Sequence, residues 1–184
     1  MSKFYTQTGD DGTTGRLGKG RLPKHHILIE AIGSLDEASA AIGLARVQVQ
    51  SAAIGELLLQ VQIDLYHIMA ELSATEENAS RFRVIDPARL AWLEAEIDRY
   101  SQLVEIPGEF IVPGDTLSGA VLAVARTAVR RSERRVVELN REQVFENEVI
   151  LPYINRLSSL IFVLELYENQ ASGLAGPTLA KKDL

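Results

Sequence analysis

Apolar residues recur at three- and four-residue spacing through five stretches of the chain, a period that predicts helices. Ile27, Ala31, Leu35, Ala38, Ile42, Ala45 and Val49 mark one face of the first, which begins from Lys24, with Gly33 and Gly43 allowing close packing. Ile54, Leu57, Leu58, Val61, Leu65, Ile68, Met69 and Leu72 mark the second, which runs out in a polar connection over residues 75–80. Asp86 and Pro87 open the third, because Pro suits a first helical turn where no backbone N–H is needed; Leu90, Leu93, Ile97 and Tyr100 follow, with Trp92 off that stripe as an interface or packing aromatic. Pro113 and Gly114 punctuate a loop, Asp115 or Thr116 can cap the fourth helix, and Leu117, Val121, Val124, Ala128 and Val129 continue it. After an acidic connector over residues 142–148, Leu151, Ile154, Leu157, Ile161 and Leu164 build the fifth, with Pro152 in its first turn.

No stretch alternates with the period of a strand, so the fold class is all-α: a five-helix bundle with an irregular Gly/Thr-rich N-terminal loop. The chain has 184 residues, 46% of them hydrophobic, enough for a single domain with its own core. Within it, residues 1–23 are the loop, 24–170 the bundle, and 171–184, with Gly173, Gly176 and Pro177, a flexible tail.

Charge and chemistry sharpen this picture. Gly9, Gly12, Gly15, Gly18 and Gly20 permit backbone in which several N–H groups face one anion, and Thr6, Thr8, Thr13 and Thr14 add hydroxyls; the loop is a phosphate cradle or a plain arm. On the fourth helix Arg126, Arg130 and Glu133 fall within roughly 60° of one another at about 100° per residue. Five arginines, Arg126, Arg130, Arg131, Arg134 and Arg135, meet only Glu133 and Glu138 there. That stripe is either a solvated basic face or a polyanion site, since guanidinium forks match phosphate oxygens. Asp36 in mid-helix needs water or an arginine partner, and Asn155, Arg156 and Ser159 interrupt the last apolar pattern as a polar rim.

Several classes drop out. A net charge of -6 argues against a general nucleic-acid binder. Without cysteine there are no disulfides or thiolate metal sites. Asp64-x-x-His67 is one half of a di-iron motif, an exposed Asp beside a partly buried His, and His25 and His26 stand at a helix start, so no protein-built metal site is expected. There is no GxSxG nucleophile motif, and neither a signal-like segment nor an 18-residue apolar run, which predicts a soluble, cytoplasmic chain without a membrane partner. Positioning and charge must carry any chemistry.

Four islands stand in order along the chain: YTQTGDDGTTG with a following RLPK, EAIGSLDEASAAIG, FIVPG with ARTAVRRSERR, and LPYINRLSSLIF. Together they resemble the PduO-type ATP:corrinoid adenosyltransferases, from about Tyr5 to about Phe162. The resemblance implies a homotrimer with active sites between neighbours, which moves the 5′-deoxyadenosyl group of ATP onto reduced cobalt of the substrate cobalamin and releases triphosphate, with Mg²⁺ on the phosphates. It places Thr6, Gln7, Thr8, Gly9, Thr14 and Gly15 with Lys24 around the triphosphate. Arg130, Arg131, Ser132, Glu133, Arg134 and Asn155 would hold the nucleotide across the interface, Arg126 would pair with Asp36 of the adjacent subunit, and Phe110 would lie under the corrin ring.

This sequence departs from the family pattern at Gln7, where a Lys is usual, with Lys19, Lys24 and Arg16 as nearby cations. It departs also at His25 and His26, usually acidic, at Ala38, usually Leu, and in the GDTLSGA segment. An ATP or adenosylcobalamin carrier that hands over to a B12-dependent enzyme, and a helical adaptor, are the competing readings.

Overall fold

The computed structural model describes residue 5, residues 7–142 and residues 144–181. Among the described residues the chain is mostly helical: α1 (Ile27–Gln48), α2 (Ala52–Ser73), α3 (Glu76–Ala79), α4 (Pro87–Ser101), α5 (Leu117–Arg141) and α6 (Ile150–Ala171). The single turn α3 occupies the connection expected over residues 75–80. The caps follow side-chain chemistry. Asp86 accepts from the Arg89 amide at 2.7 Å and Thr116 from the Gly119 amide at 2.9 Å, as Asp and Thr do at N-caps. His26 Nδ1 accepts from the Leu28 amide at 3.1 Å, so α1 begins after the Lys24 start that its apolar period suggested.

Helix α5 lies between α1 and α6 and is antiparallel to both, while α2 packs on α1 and α4 on α6. The pairs that set this direction are Glu37 with Arg131 and Glu30 with Arg135 on the α1 side, and Asn155 with Glu133 and Asn169 with Thr116 on the α6 side. Leu35, Ile42, Leu65, Leu122, Leu139 and Ile161 are sealed from solvent in the core between them. Truncating any one to Ala would cost about 2–5 kcal/mol. At Gly119 a Cβ would stand 2.2 Å from Asn169 Oδ1, so α5 reaches α6 this closely only without a side chain there. Gly43 similarly faces Gln62, whereas Gly33 is exposed with nothing within 4 Å and has no packing role.

Three buried acids tie the helices together. Asp64 is not exposed as expected: it is 2% accessible and receives the Tyr153 hydroxyl and Arg89 Nε, the latter at 2.8 Å. Burial and the adjoining carboxylate push the Tyr153 hydroxyl far up from its ordinary pKa, so it remains a donor. Arg89 in turn lies 3.6 Å over the Trp92 ring, which gives that aromatic its packing role. Glu71 holds Arg83 and Asn147, and Glu168 accepts from the Gln50 and Ser51 amides, capping the start of α2 from across the bundle. Helix α6 is long and apolar enough to cross a membrane, but 61% of its most apolar window is buried in the protein, as in a core helix.

Two local findings depart from the sequence pattern. Strands β1 (Thr13–Gly15) and β2 (Arg21–Pro23) form a small antiparallel hairpin with Thr14 opposite Leu22. Three residues per strand are too few to show a period of two. Residues 178–180, within the segment expected as a flexible tail, pair with the Phe110 loop: the Val112 amide donates to Thr178 O and the Ala180 amide to Phe110 O, each at 2.7 Å. Asp115 accepts from both the Thr178 amide and hydroxyl, which holds its carboxyl below the usual range.

Candidate functional site

The N-terminal loop is folded by its own polar groups. The Gly12 amide donates to Gly9 O, the Lys24 amide to Gly12 O, and Lys24 Nζ to Gly9 O at 2.7 Å. Arg21, which sequence reasoning did not single out, donates to the Thr8 and Thr13 carbonyls and to the Thr13 hydroxyl. Asp11 accepts the Thr13 amide and hydroxyl, and those bonds hold its carboxyl below the usual range. An Asp two residues before a Thr is the signal that could have found this turn. Gln7 adopts φ 61°, a left-handed conformation that costs a side-chain-bearing residue about 1–2 kcal/mol. Thr14 and Gly15 lie in β1, and Thr6 lies outside the described residues. The Leu17 amide donates to Ser73 O and the Thr75 amide to Leu17 O, anchoring the loop to the end of α2.

The arginine-bearing face of α5 separates into three groups. Arg130 is exposed, and its carbonyl accepts from Arg134 Nη1 at 2.9 Å. Glu133 Oε1 accepts from Asn155 Nδ2 at 2.8 Å, and Asn155 Oδ1 accepts from Arg156 Nη1 at 2.9 Å, so Glu133 and Asn155 meet across α5 and α6. Arg131 turns the other way to pair with Glu37 of α1. Ser132, expected beside the nucleotide, has a wholly buried side chain whose hydroxyl donates to Val129 O at 2.8 Å inside the helix.

Two hollows meet at Arg130. One, of about 510 Å³, is lined by Arg130, Glu133, Arg134, Val137, Glu138 and Arg141. The other, of about 710 Å³, has Phe110, Ile111, Arg126, Arg130, Phe162 and Val163 in its wall. Phe110 is 86% exposed, an unusual position for a large apolar ring. A further hollow of about 750 Å³, bordered by Leu103, Val104, Leu166 and Leu174, contains no residue expected to act on a ligand.

Arg126 does not meet Asp36 within one chain. Its Nε lies 3.6 Å from the carboxylate of Glu165, and its guanidinium 5.7 Å from the Phe162 ring. Burial pushes the Glu165 carboxyl up to about 7, with Arg126 acting in the opposite direction. Among the described residues Asp36 is exposed and has no hydrogen-bond or ion-pair partner. No three His, Asp or Glu side chains gather among them in a way that could hold a metal ion.

The structure is thus a helical bundle with a self-tied Gly/Thr loop, in which one arginine is shared between a charged and a mainly apolar hollow. The chain belongs to the cobalamin adenosyltransferase family, whose model matches residues 4–168. It is 39% identical over 167 residues to the corrinoid adenosyltransferase PduO of Citrobacter freundii, covering 90% of this chain and 50% of that protein. The chain thus spans about half the length of that relative. With the corrinoid adenosyltransferase of Bacillus subtilis it shares 34% identity over 176 residues, 94% of this chain and 89% of the relative. Its fold is similar to that of a variant PduO-type ATP:corrinoid adenosyltransferase from Lactobacillus reuteri complexed with cobalamin and ATP. The TM-score is 0.89 at 32% identity, over 98% of this chain and 100% of that one.

Proposed function

We propose that this chain transfers the 5′-deoxyadenosyl group of ATP to the reduced cobalt of a corrinoid, with release of triphosphate. The observation that carries the reading is Arg130, common to a charged hollow and to an apolar one bounded by Phe110 and Phe162. A polyanionic nucleotide and a broad macrocycle that react at one bond need such a junction. In the reaction, the cobalt electron pair forms the bond to C5′ while the C5′–O bond breaks and its pair leaves on triphosphate. No proton moves, so the site has to align and neutralise rather than act as acid or base.

Arg130, Arg134 and Lys24 supply charge for the triphosphate, with the amides of the N-terminal loop, and the Glu133–Asn155 pair orients the nucleoside. Phe110 stands under the ring and keeps the lower axial donor away; loss of that donor lowers the cobalt orbital that accepts the electron. Mg²⁺ on the phosphate oxygens would share the work of neutralising the triphosphate, with water filling much of its shell.

The assembly belongs to the same proposal. Leu44 and Val47 of α1 and Leu59, Ile63 and Tyr66 of α2 are exposed apolar groups, and Asp36 is an exposed, unpaired acid. A homotrimer that sets Asp36 of one copy against Arg126 of the next would cover both. A cytoplasmic location and hand-over of product to a B12-dependent enzyme complete the reading. Purified protein with ATP, Mg²⁺ and chemically reduced cobalamin is expected to yield adenosylcobalamin and triphosphate in equal amounts. Absence of both under strictly anaerobic, reducing conditions would refute it.

A further inference from the structure

Glu165 of α6 takes no part in the chemistry above, yet it is an ionisable group set in the core of the fold. It is completely inaccessible, and neither carboxylate oxygen has a hydrogen-bond partner. Buried carboxylates are normally satisfied, as Asp64, Glu71 and Glu168 are here, so an orphaned one calls for a reason other than stability. Its one near counter-charge is Arg126, whose buried Nε also lacks a hydrogen bond; at 3.6 Å the two attract without bonding. Asp115, farther off, adds only repulsion.

Arg126 is the arginine in the wall of the Phe110 and Phe162 hollow, beside the Phe162 ring. Its side chain is 23% exposed, so one edge of the guanidinium is buried toward Glu165 while another reaches the surface. We infer that Glu165 is a positioning residue for the corrinoid site: from beneath α5 it fixes the direction in which Arg126 presents its remaining N–H donors to the hollow and to the neighbouring subunit. The inference rests on the proposed function for the identity of the ligand. A neutral residue of the same size would relieve the buried charge and release Arg126 from that direction. Stability and ligand binding should therefore move in opposite directions, which a merely structural residue would not produce.

The test compares Glu165→Gln and Glu165→Asp with the parent protein by thermal unfolding at pH 8, by steady-state kinetics, and by the visible spectrum of cob(II)alamin titrated with protein in the presence of ATP. Glu165→Gln is expected to melt higher, to raise half-saturation for the corrinoid at least fivefold, and to leave that for ATP within twofold. Glu165→Asp, which keeps the charge, should recover part of the corrinoid affinity. Corrinoid half-saturation within twofold of the parent in Glu165→Gln would overturn the inference. So would a lower melting temperature with parallel losses for both substrates, which marks a packing role. If the parent protein binds cob(II)alamin but forms no product, the functional reading fails alone, and the spectral titration still decides the role of Glu165. If the parent binds no corrinoid, both fall.

Discussion

In the N-terminal loop the polar groups satisfy one another at the surface: Arg21 and Lys24 hold carbonyls of Thr8, Gly9 and Thr13, and Asp11 holds Thr13. Between α5 and α6 the polar groups are half-buried or buried, with Glu133 bonded to Asn155 but Arg126 and Glu165 left without hydrogen bonds. The loop is shaped by local turns and can present backbone amides to an anion whatever many of its side chains are. The helix pair is rigid and offers side chains at fixed positions, so its contribution depends on their identity. Under the proposed function, a departure such as Gln7 is expected to be tolerated in the first region and a change at Arg130 in the second is not.

That contrast gives an order of effects. Arg130→Ala should reduce kcat/KM by about 10²–10³, the loss typical of removing one group that stabilises developing charge, while Lys24→Ala should lose less because loop amides remain. Steady-state kinetics with ATP varied would reverse the contrast if Lys24→Ala were the more damaging. Asp36→Asn should lower activity about tenfold or more and shift the protein toward monomer in light scattering if, as proposed, Asp36 pairs with Arg126 of another copy. An unchanged mass and rate would remove that pairing.

Phe110→Ala should raise the corrinoid requirement about tenfold with ATP half-saturation within twofold, and because the ring is 86% exposed the melting temperature should hold. A drop in melting temperature would place Phe110 in the fold instead. A separate effect, at Glu165, is read in stability. Glu165 has its pKa raised from 4.5 to about 7 on folding. Between those values the folded protein keeps a proton that the unfolded chain has released, so this group's contribution to stability falls as pH rises from about 4.5 to about 7 and is flat above, by about 3 kcal/mol in all. Thermal unfolding of Glu165→Gln should match the parent near pH 4 and exceed it at pH 8; a constant gap between the two would contradict this.

The helices were legible because apolar period and caps act locally: Asp86 and Thr116 cap where their chemistry suggests. The hairpin was not, since three-residue strands leave no period to read. Ser132 was grouped with its arginine neighbours by motif, although its spacing of three and four from Val129 and Ala128 already puts it on the buried face. Asp64 misled for a different reason: Arg89 and Tyr153, which satisfy it, come from other helices and are distant in sequence. Glu165 sits in an apolar run that gave no reason to single it out, and nothing in the run shows that its neighbour across the seam is Arg126. Asp36 stays exposed in a single chain, as the solvated alternative expects.

Whether loop and helix from different copies make one site can be measured by mixing. Protein lacking residues 5–15 and Arg130→Ala protein, each inactive alone, would be co-expressed with different tags and the mixed assemblies purified. If each site takes its loop from one subunit and its α5 from the next, random assembly restores both halves in about a quarter of the sites and activity returns to about that fraction of the parent. If mixed assemblies form and stay as inactive as their components, each site lies within a single chain and the shared site is wrong.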